Sequence, residues 1–274
     1  MVIRWLMAAC LVGGLGLPAG ADEAPRRVLS MNLCTDQLAM LLAAPGQLVS
    51  VSHVARDPRA SALADQAMAY PVNHGDAEEI YLARPDLVLA DSFAKPGTVQ
   101  LLRRLGRRVE LFDAAQSFDE LRRNLIRMGD LLGRQDQARA MVARFDADLA
   151  ALGRPPANRP RAAMYAANGY SEGPESLAGE IIDAAGFANL AETLGVGGGG
   201  TVPLEVLMLA APDLVITGEP YPGASRSEEI LRHPGLTALT ARNPSRVMAD
   251  RDWVCATPQV LRAVAALAAA REAM

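Results

Sequence analysis

A chain of 274 residues, half of them hydrophobic, can bury one large core or two moderate ones. A formal net charge of −4 and a pI of about 5.5 provide no basic stripe, which excludes nucleic acid as a partner. After the first twenty or so residues, no segment is apolar over enough length to cross a bilayer.

The N-terminus has the layout of an export leader. "MVIRW" is a short positive end, "LMAACLVGGLGL" an apolar run, and "AGA" at Ala19 to Ala21 a small-residue cleavage site, so cleavage is expected after Ala21 and the mature chain at Asp22. Cys10 falls inside the apolar run and leaves with it. That leaves Cys34 and Cys255, an even number in a compartment where disulfides persist.

From there strands and helices alternate. "RRVLSM" predicts a strand, Thr35 and Asp36 a helix cap, and "QLAMLLAA" a helix ending near Pro45 and Gly46. "QLVSVS" is a second strand, followed by the loop "HVARDPRAS" and a polar helix. "EEIYLARPDLVLA" (78–90) then predicts a short helix, a proline stop and an apolar strand. "GTVQLLRRLG" and "RRVELF" add a helix and a strand. Such alternation implies parallel pairing with helices over the sheet faces.

The middle of the chain contains no strand candidate. Ser117 and Glu120 predict a capping box for "FDELRRNLIRMGDLLG", and Ala138, Met141, Val142, Phe145, Leu149 and Leu152 recur at helical spacing. From Gln135 to Leu152 this is a helix of roughly 27 Å at about 1.5 Å per residue. It runs into "GRPPANRP", a linker composition, and is expected to act as a stiff connector.

Then the pattern restarts. "RAAMYA" predicts a strand and "ESLAGEIIDAAG" a helix. "EVLMLAAPDLVIT" (205–217) repeats the earlier unit at seven of thirteen positions, with an offset of 205 − 78 = 127. "SEEILRHPGLTALTA", "SRVMA" and "PQVLRAVAALAAAREAM" follow as a loop and helix, a strand and a terminal helix. The expected fold class is α/β: two similar lobes with mainly parallel sheets, joined by a long helical connector, with a ligand cleft between them. Residues 1–21 form the leader, 22–116 the N-terminal lobe, 117–154 the connector and 155–274 the C-terminal lobe.

Together the leader, the two "PDLV" units, "RRVLSMNLCTDQLAMLLA", the helical middle and "RHPGLTAL" followed by "SRVMA" resemble the ABC-transporter substrate-binding proteins for iron chelates, haem and cobalamin. The resemblance runs from about Arg27 to the terminal helix. It implies a class III periplasmic binding protein fold, a periplasmic location, a metal-chelate ligand captured between the lobes, and delivery to a membrane permease. It also implies a binding protein rather than an enzyme, with no cofactor and no protein-held metal of its own, acting as a monomer. A helical connector resists large hinge motion, so affinity is expected from a preformed cleft.

Candidate cleft residues lie in loops after strands: "MNLCTD" with Cys34, His53, His74, "DSF" with Asp91 and Phe93, "NGYSEG" with Tyr170, the tract "GVGGGG", "GEPYPG" with Tyr221, and "RDWVC" with Asp252 and Trp253. By resemblance, the neighbourhoods of His74 and Asp91, the glycine tract, and Asp252 with Trp253 match places where cobalamin-binding members line their cleft. A tract of four glycines makes room for a bulky ligand or forms a loop that orders on binding. His74 equally suits the ordering of a turn, and Trp253 a place in the core; His233, before Pro234, is a helix-end residue. Cys34 and Cys255 each follow an expected strand in a different lobe. That favours proximity, as a disulfide or as two thiols at a metal centre, over two separate buried cysteines.

Two rival functions are testable against the residues. A free zinc or manganese receptor needs three or four converging ligands, of which His53, His74 and Asp91 supply some, without a His-rich loop. A cysteine-dependent enzyme would pair Cys34 with His53 or His74, but no family signature surrounds the cysteine. No zinc-protease helix, phosphate-binding loop or serine elbow is present either. In proteins of the resembled family, a glutamate on each lobe docks onto arginines of a two-fold permease dimer, and Glu78 and Glu205 match those positions by their spacing to "PDLV". The plainer reading is a carboxylate stabilised at each helix N-terminus.

Overall fold

The computed structural model describes residues 23–153, 156–219, 223, 225–242 and 244–274; the expected leader and Tyr221 lie outside the described residues. The first lobe runs β1 (Val28–Ser30), α1 (Leu33–Leu42), β2 (Leu48–Ser52), α2 (Ala64–Ala67), β3 (Val72–Asn73), α3 (Ala77–Leu82), β4 (Leu87–Asp91), α4 (Pro96–Arg104) and β5 (Val109–Phe112). Its five strands, all parallel, are ordered β3-β2-β1-β4-β5. α5 (Phe118–Leu132) and α6 (Gln135–Ala151) follow.

The second lobe runs β6 (Arg161–Met164), β7 (Tyr170–Ser171), α7 (Leu177–Ala184), β8 (Ala188–Asn189), α8 (Leu190–Thr193), β9 (Gly200–Thr201), α9 (Leu204–Ala210), β10 (Leu214–Gly218), α10 (Pro234–Arg242), β11 (Ser245–Met248) and α11 (Val260–Glu272). Its four-stranded parallel sheet is ordered β11-β10-β6-β8, while β7 and β9 form a separate antiparallel ribbon. The expected α/β class and the two lobes are both present.

The repeated unit has the same internal wiring in each lobe. Asp86 accepts hydrogen bonds from the backbone N–H groups of Arg26 and Arg27 at 2.8 and 2.9 Å, and Asp213 accepts that of Arg161 at 2.7 Å. The Arg27 guanidinium donates to the carbonyls of Ala83 and Arg84, and the Arg161 guanidinium to those of Ala210 and Ala211. These are carbonyls that the ends of α3 and α9 leave without helical partners. Arg84 and Ala211, each just before the proline, both have a left-handed backbone, with φ of 50° and 49°. This conformation is uncommon outside glycine and turns the chain sharply from helix to strand.

Side-chain alternation splits each central strand between two faces. Leu87 and Leu89 of β4, and Leu214 and Ile216 of β10, join one apolar cluster, whereas Val88 and Val215 face separate outer clusters. The shared cluster also takes Leu121, Leu125 and Met128 of α5, Phe145 of α6, Ile181 and Ile182 of α7 and Val264 of α11. It is therefore continuous from one lobe to the other.

The helical middle differs from a single rod. α5 ends at Gly133 in a left-handed conformation, φ 68°, and α6 packs against α5, with Phe118 and Phe145 edge-to-face at 5.5 Å. The cap of α5 is a shifted capping box: Ser117 Oγ accepts the Glu120 N–H at 3.2 Å, while the Glu120 carboxylate takes the N–H of Gln116 rather than of Ser117. The Phe118 N–H goes to the Glu180 carboxylate of α7, a bond between the connector and the second lobe. Burial pushes the Glu180 carboxyl above its ordinary range.

Leu125 has no exposed surface. Leu125→Ala is expected to cost about 2–5 kcal/mol in urea denaturation, the range for a buried leucine that leaves a cavity. A loss under about 1 kcal/mol would show that Leu125 is not a packed member of the shared core.

Candidate functional site

The C-terminal ends of the strands converge on a cleft of about 390 Å³ between the lobes. The first lobe contributes Asn32, Leu33, Cys34, Thr35 and Leu38 from the turn after β1, Asp91 and Phe93 after β4, and Phe112 to Gln116 at the end of β5. The second contributes Glu172, then Ser176, Leu177 and Ala178 at the start of α7, and Trp253, Val254 and Ala256 before α11. Asn124 of α5 adds an amide where the connector borders the cavity. The walls are thus mostly apolar with a few convergent polar groups, the usual composition of a small-molecule site.

Cys34 and Cys255 form a disulfide, with Cα atoms 5.2 Å apart. It joins the first turn of α1 in one lobe to the segment before α11 in the other, and so ties the lobes at the cleft wall. The alternatives of two thiols at a metal centre and of separate buried cysteines are both overturned. Near it, Arg251 donates from its backbone and guanidinium to the carbonyls of Arg59 and Pro58, at 2.9 and 3.1 Å. These bonds are a second crossing from lobe to lobe.

Of the residues singled out from sequence, Cys34, Asp91, Phe93 and Trp253 line the cleft together. Phe93 is 80% exposed, an aromatic ring presented to solvent at the rim. Trp253 packs partly against the shared core, and its Nε1 is buried without a hydrogen-bond partner. His53 and His74 follow β2 and β3, toward the free edge of the first sheet. They stack on one another at 5.1 Å and are outside the cavity lining. His74 also donates its N–H to Glu79 at 2.8 Å.

Asp252 pairs with Arg262 at 3.6 Å and Tyr170 belongs to the β7–β9 ribbon; neither lines the cavity. The glycine tract packs against the segment before α7. The Glu175 backbone N–H donates to the Gly197 carbonyl at 3.0 Å, and a Cβ on Gly173 would collide with that same carbonyl. The tract backs the loop carrying Glu172 and lies outside the cavity lining. Asp113, Gln116 and Ser176 were missed by sequence reading; the stretch after "RRVELF" obeys the same loop-after-strand rule and could have been found.

Thr35 and Asp36 are not the cap expected of them. α1 begins at Leu33 behind Asn32, and both residues lie buried inside the helix. Asp36 accepts from the Ser52 backbone N–H with both oxygens at 3.1 Å and from the Ser52 hydroxyl. Burial outweighs these bonds and the Asp36 carboxyl is pushed up to about 6.

Among known proteins, the sequence model of a family described as "Periplasmic binding protein" matches residues 28–252. A cobalamin-binding protein of Halobacterium salinarum is 30% identical over 203 residues, 72% of this chain and 55% of that one; the chain spans about half the length of the curated relatives it matches. A periplasmic heme-binding protein of Roseiflexus sp. RS-1 in apo form aligns with a TM-score of 0.73 at 22% identity, over 89% of this chain and 97% of that one. The periplasmic vitamin B12 binding protein of Vibrio cholerae aligns with a TM-score of 0.66 at 17% identity, over 91% and 97%. At these identities the structural likeness is one of fold.

Asp36 yields a pH prediction. Its folded pKa lies above the unfolded value, so its contribution to stability is fully present below about pH 4 and is lost as pH rises through about 6. Asp36→Asn removes that dependence. The stability difference, variant minus wild type, is expected to rise by on the order of 3 kcal/mol between acidic and neutral pH. Parallel urea-denaturation profiles would rule the buried carboxyl out.

Proposed function

The chain belongs to the periplasmic binding protein family, and from that premise we propose that it captures a metal chelate, a cobalamin, ferric siderophore or haem, between its lobes and hands it to the permease of an ABC importer. The observation that carries this reading is the cleft, lined by both lobes and closed below by their common core. The chelate is cargo, and the family is one of binding proteins, not enzymes. The disulfide removes the cysteine nucleophile that an enzymatic reading would require. For the metal-receptor reading, no group of three or more His, Cys, Asp or Glu suited to hold an ion occurs among the described residues.

Glu78 and Glu205 support delivery to a two-fold permease. Both are exposed, in the first turns of α3 and α9, one on each lobe and equivalent by the repeat. Carboxylate–arginine pairing is bidentate and orienting, and exposed carboxylates cost little before docking. The expected leader, with cleavage after Ala21, supports a periplasmic location, where the protein would act as a monomer. The lobe-spanning helix and disulfide favour capture with little closure.

Native mass spectrometry of protein purified from its own host is expected to show a retained mass matching one chelate. Recovery of ligand-free protein that binds none of cobalamin, hydroxamate siderophore or haemin would overturn the reading. Glu78→Ala with Glu205→Ala is expected to leave chelate affinity unchanged and to lower uptake in a salt-sensitive way. Uptake equal to wild type would leave the two glutamates with a helix-end role alone.

A further inference from the structure

We propose that the cleft selects its ligand by charge, taking cationic or neutral, donor-rich chelates and rejecting anionic ones. This rests on the chelate-capture reading and narrows it. Three carboxylates, Asp91, Asp113 and Glu172, stand on the cleft walls, two on the first lobe and one on the second. None of them takes part in an ion pair among the described residues. No lysine, arginine or histidine is among the lining side chains.

The existence of the site does not depend on these acids. It is a built cavity between lobes, with an exposed aromatic rim at Phe93 and neutral polar side chains of Asn32, Gln116, Asn124 and Ser176 on its walls. The acids set its sign. Apolar walls at Leu33, Phe112 and Leu177 weaken solvent screening, so a charge there acts more strongly than on an open surface.

The opposing effect can be sized. The N-termini of α1 and α7 border the cleft, each with a partial positive charge of about one half. Together they amount to about one positive charge against three full negative ones. Ionised carboxylates only accept hydrogen bonds, so the matching ligand must bring N–H donors or positive charge. A ligand whose outer groups are carboxylates or phosphates would face three like charges, with only neutral donors such as Asn32, Gln116 and Asn124 and the two helix ends to offset them.

The test uses two chelate pairs that differ in charge but little in shape, with haemin as the anionic probe. One is aquacobalamin, cationic at mildly acidic pH, against neutral cyanocobalamin; the other is cationic ferrioxamine B against its neutral N-acetyl derivative. In whichever pair binds, calorimetry is expected to give the cationic member an advantage of about tenfold at low salt, narrowing at high salt, with haemin weakest. Asp113→Asn with Glu172→Gln, checked for an unchanged melting profile, is expected to bring the ratio close to one. Equal affinity within both pairs, tighter binding of haemin, or a ratio that survives in the double variant overturns charge selection while chelate capture stands. Binding of no chelate overturns both.

Discussion

One apolar core runs from lobe to lobe, with α5 packed against α1 and α6 inside it, and the cleft keeps its shape because of that core. Leu121, Leu125 and Met128 belong to the same cluster as Leu89 on one side and Ile216 on the other. Separating the lobes would return these side chains to water, at about 1.5–3 kcal/mol each. Weak contacts between domains allow motion by default; a shared core withdraws that freedom. On the proposed reading, a ligand would meet walls already in place and spend little of its binding energy on arranging them.

The repeat solves one geometric problem twice. A short helix must stop abruptly and feed the central strand of a sheet, and the left-handed residue before the proline makes that turn. A non-glycine residue held there costs on the order of 1 kcal/mol or more, so the surrounding structure must over-determine it. It does so identically in both lobes: an arginine from the neighbouring strand fills the helix end, and the aspartate of "PDLV" holds that arginine's own backbone. The glutamate in the first turn of each helix is left exposed.

What could be read from sequence follows the range of the interactions involved. β4 and β10 were legible because a proline stop and an apolar run are local signals. β3, β7, β8 and β9 have two residues each, too short for any periodicity to register. Thr35 and Asp36 have the composition of a cap, yet tertiary contacts with Ser30 and Ser52 draw them into the helix interior. Cys34, Asp91, Phe93 and Trp253 were legible by the loop-after-strand rule, which looks only at neighbours. The stacking of His53 on His74, and the packing of the glycine tract against Glu175, depend on distant segments that no local pattern reveals.

The Cys34–Cys255 bridge has a consequence for how the molecule is made. It closes a loop with a sequence separation of 221 residues, and a chain emerges N-terminus first. α1 and its sheet can form while Cys34 waits as a thiol, but its partner arrives only after the whole second sheet has been delivered. The bond can therefore close only after the second sheet has emerged, and its native position holds the two lobes together. A chain whose lobes have not met would carry Cys34 and Cys255 as two thiols 221 residues apart, open to thiol–disulfide exchange until the second lobe docks.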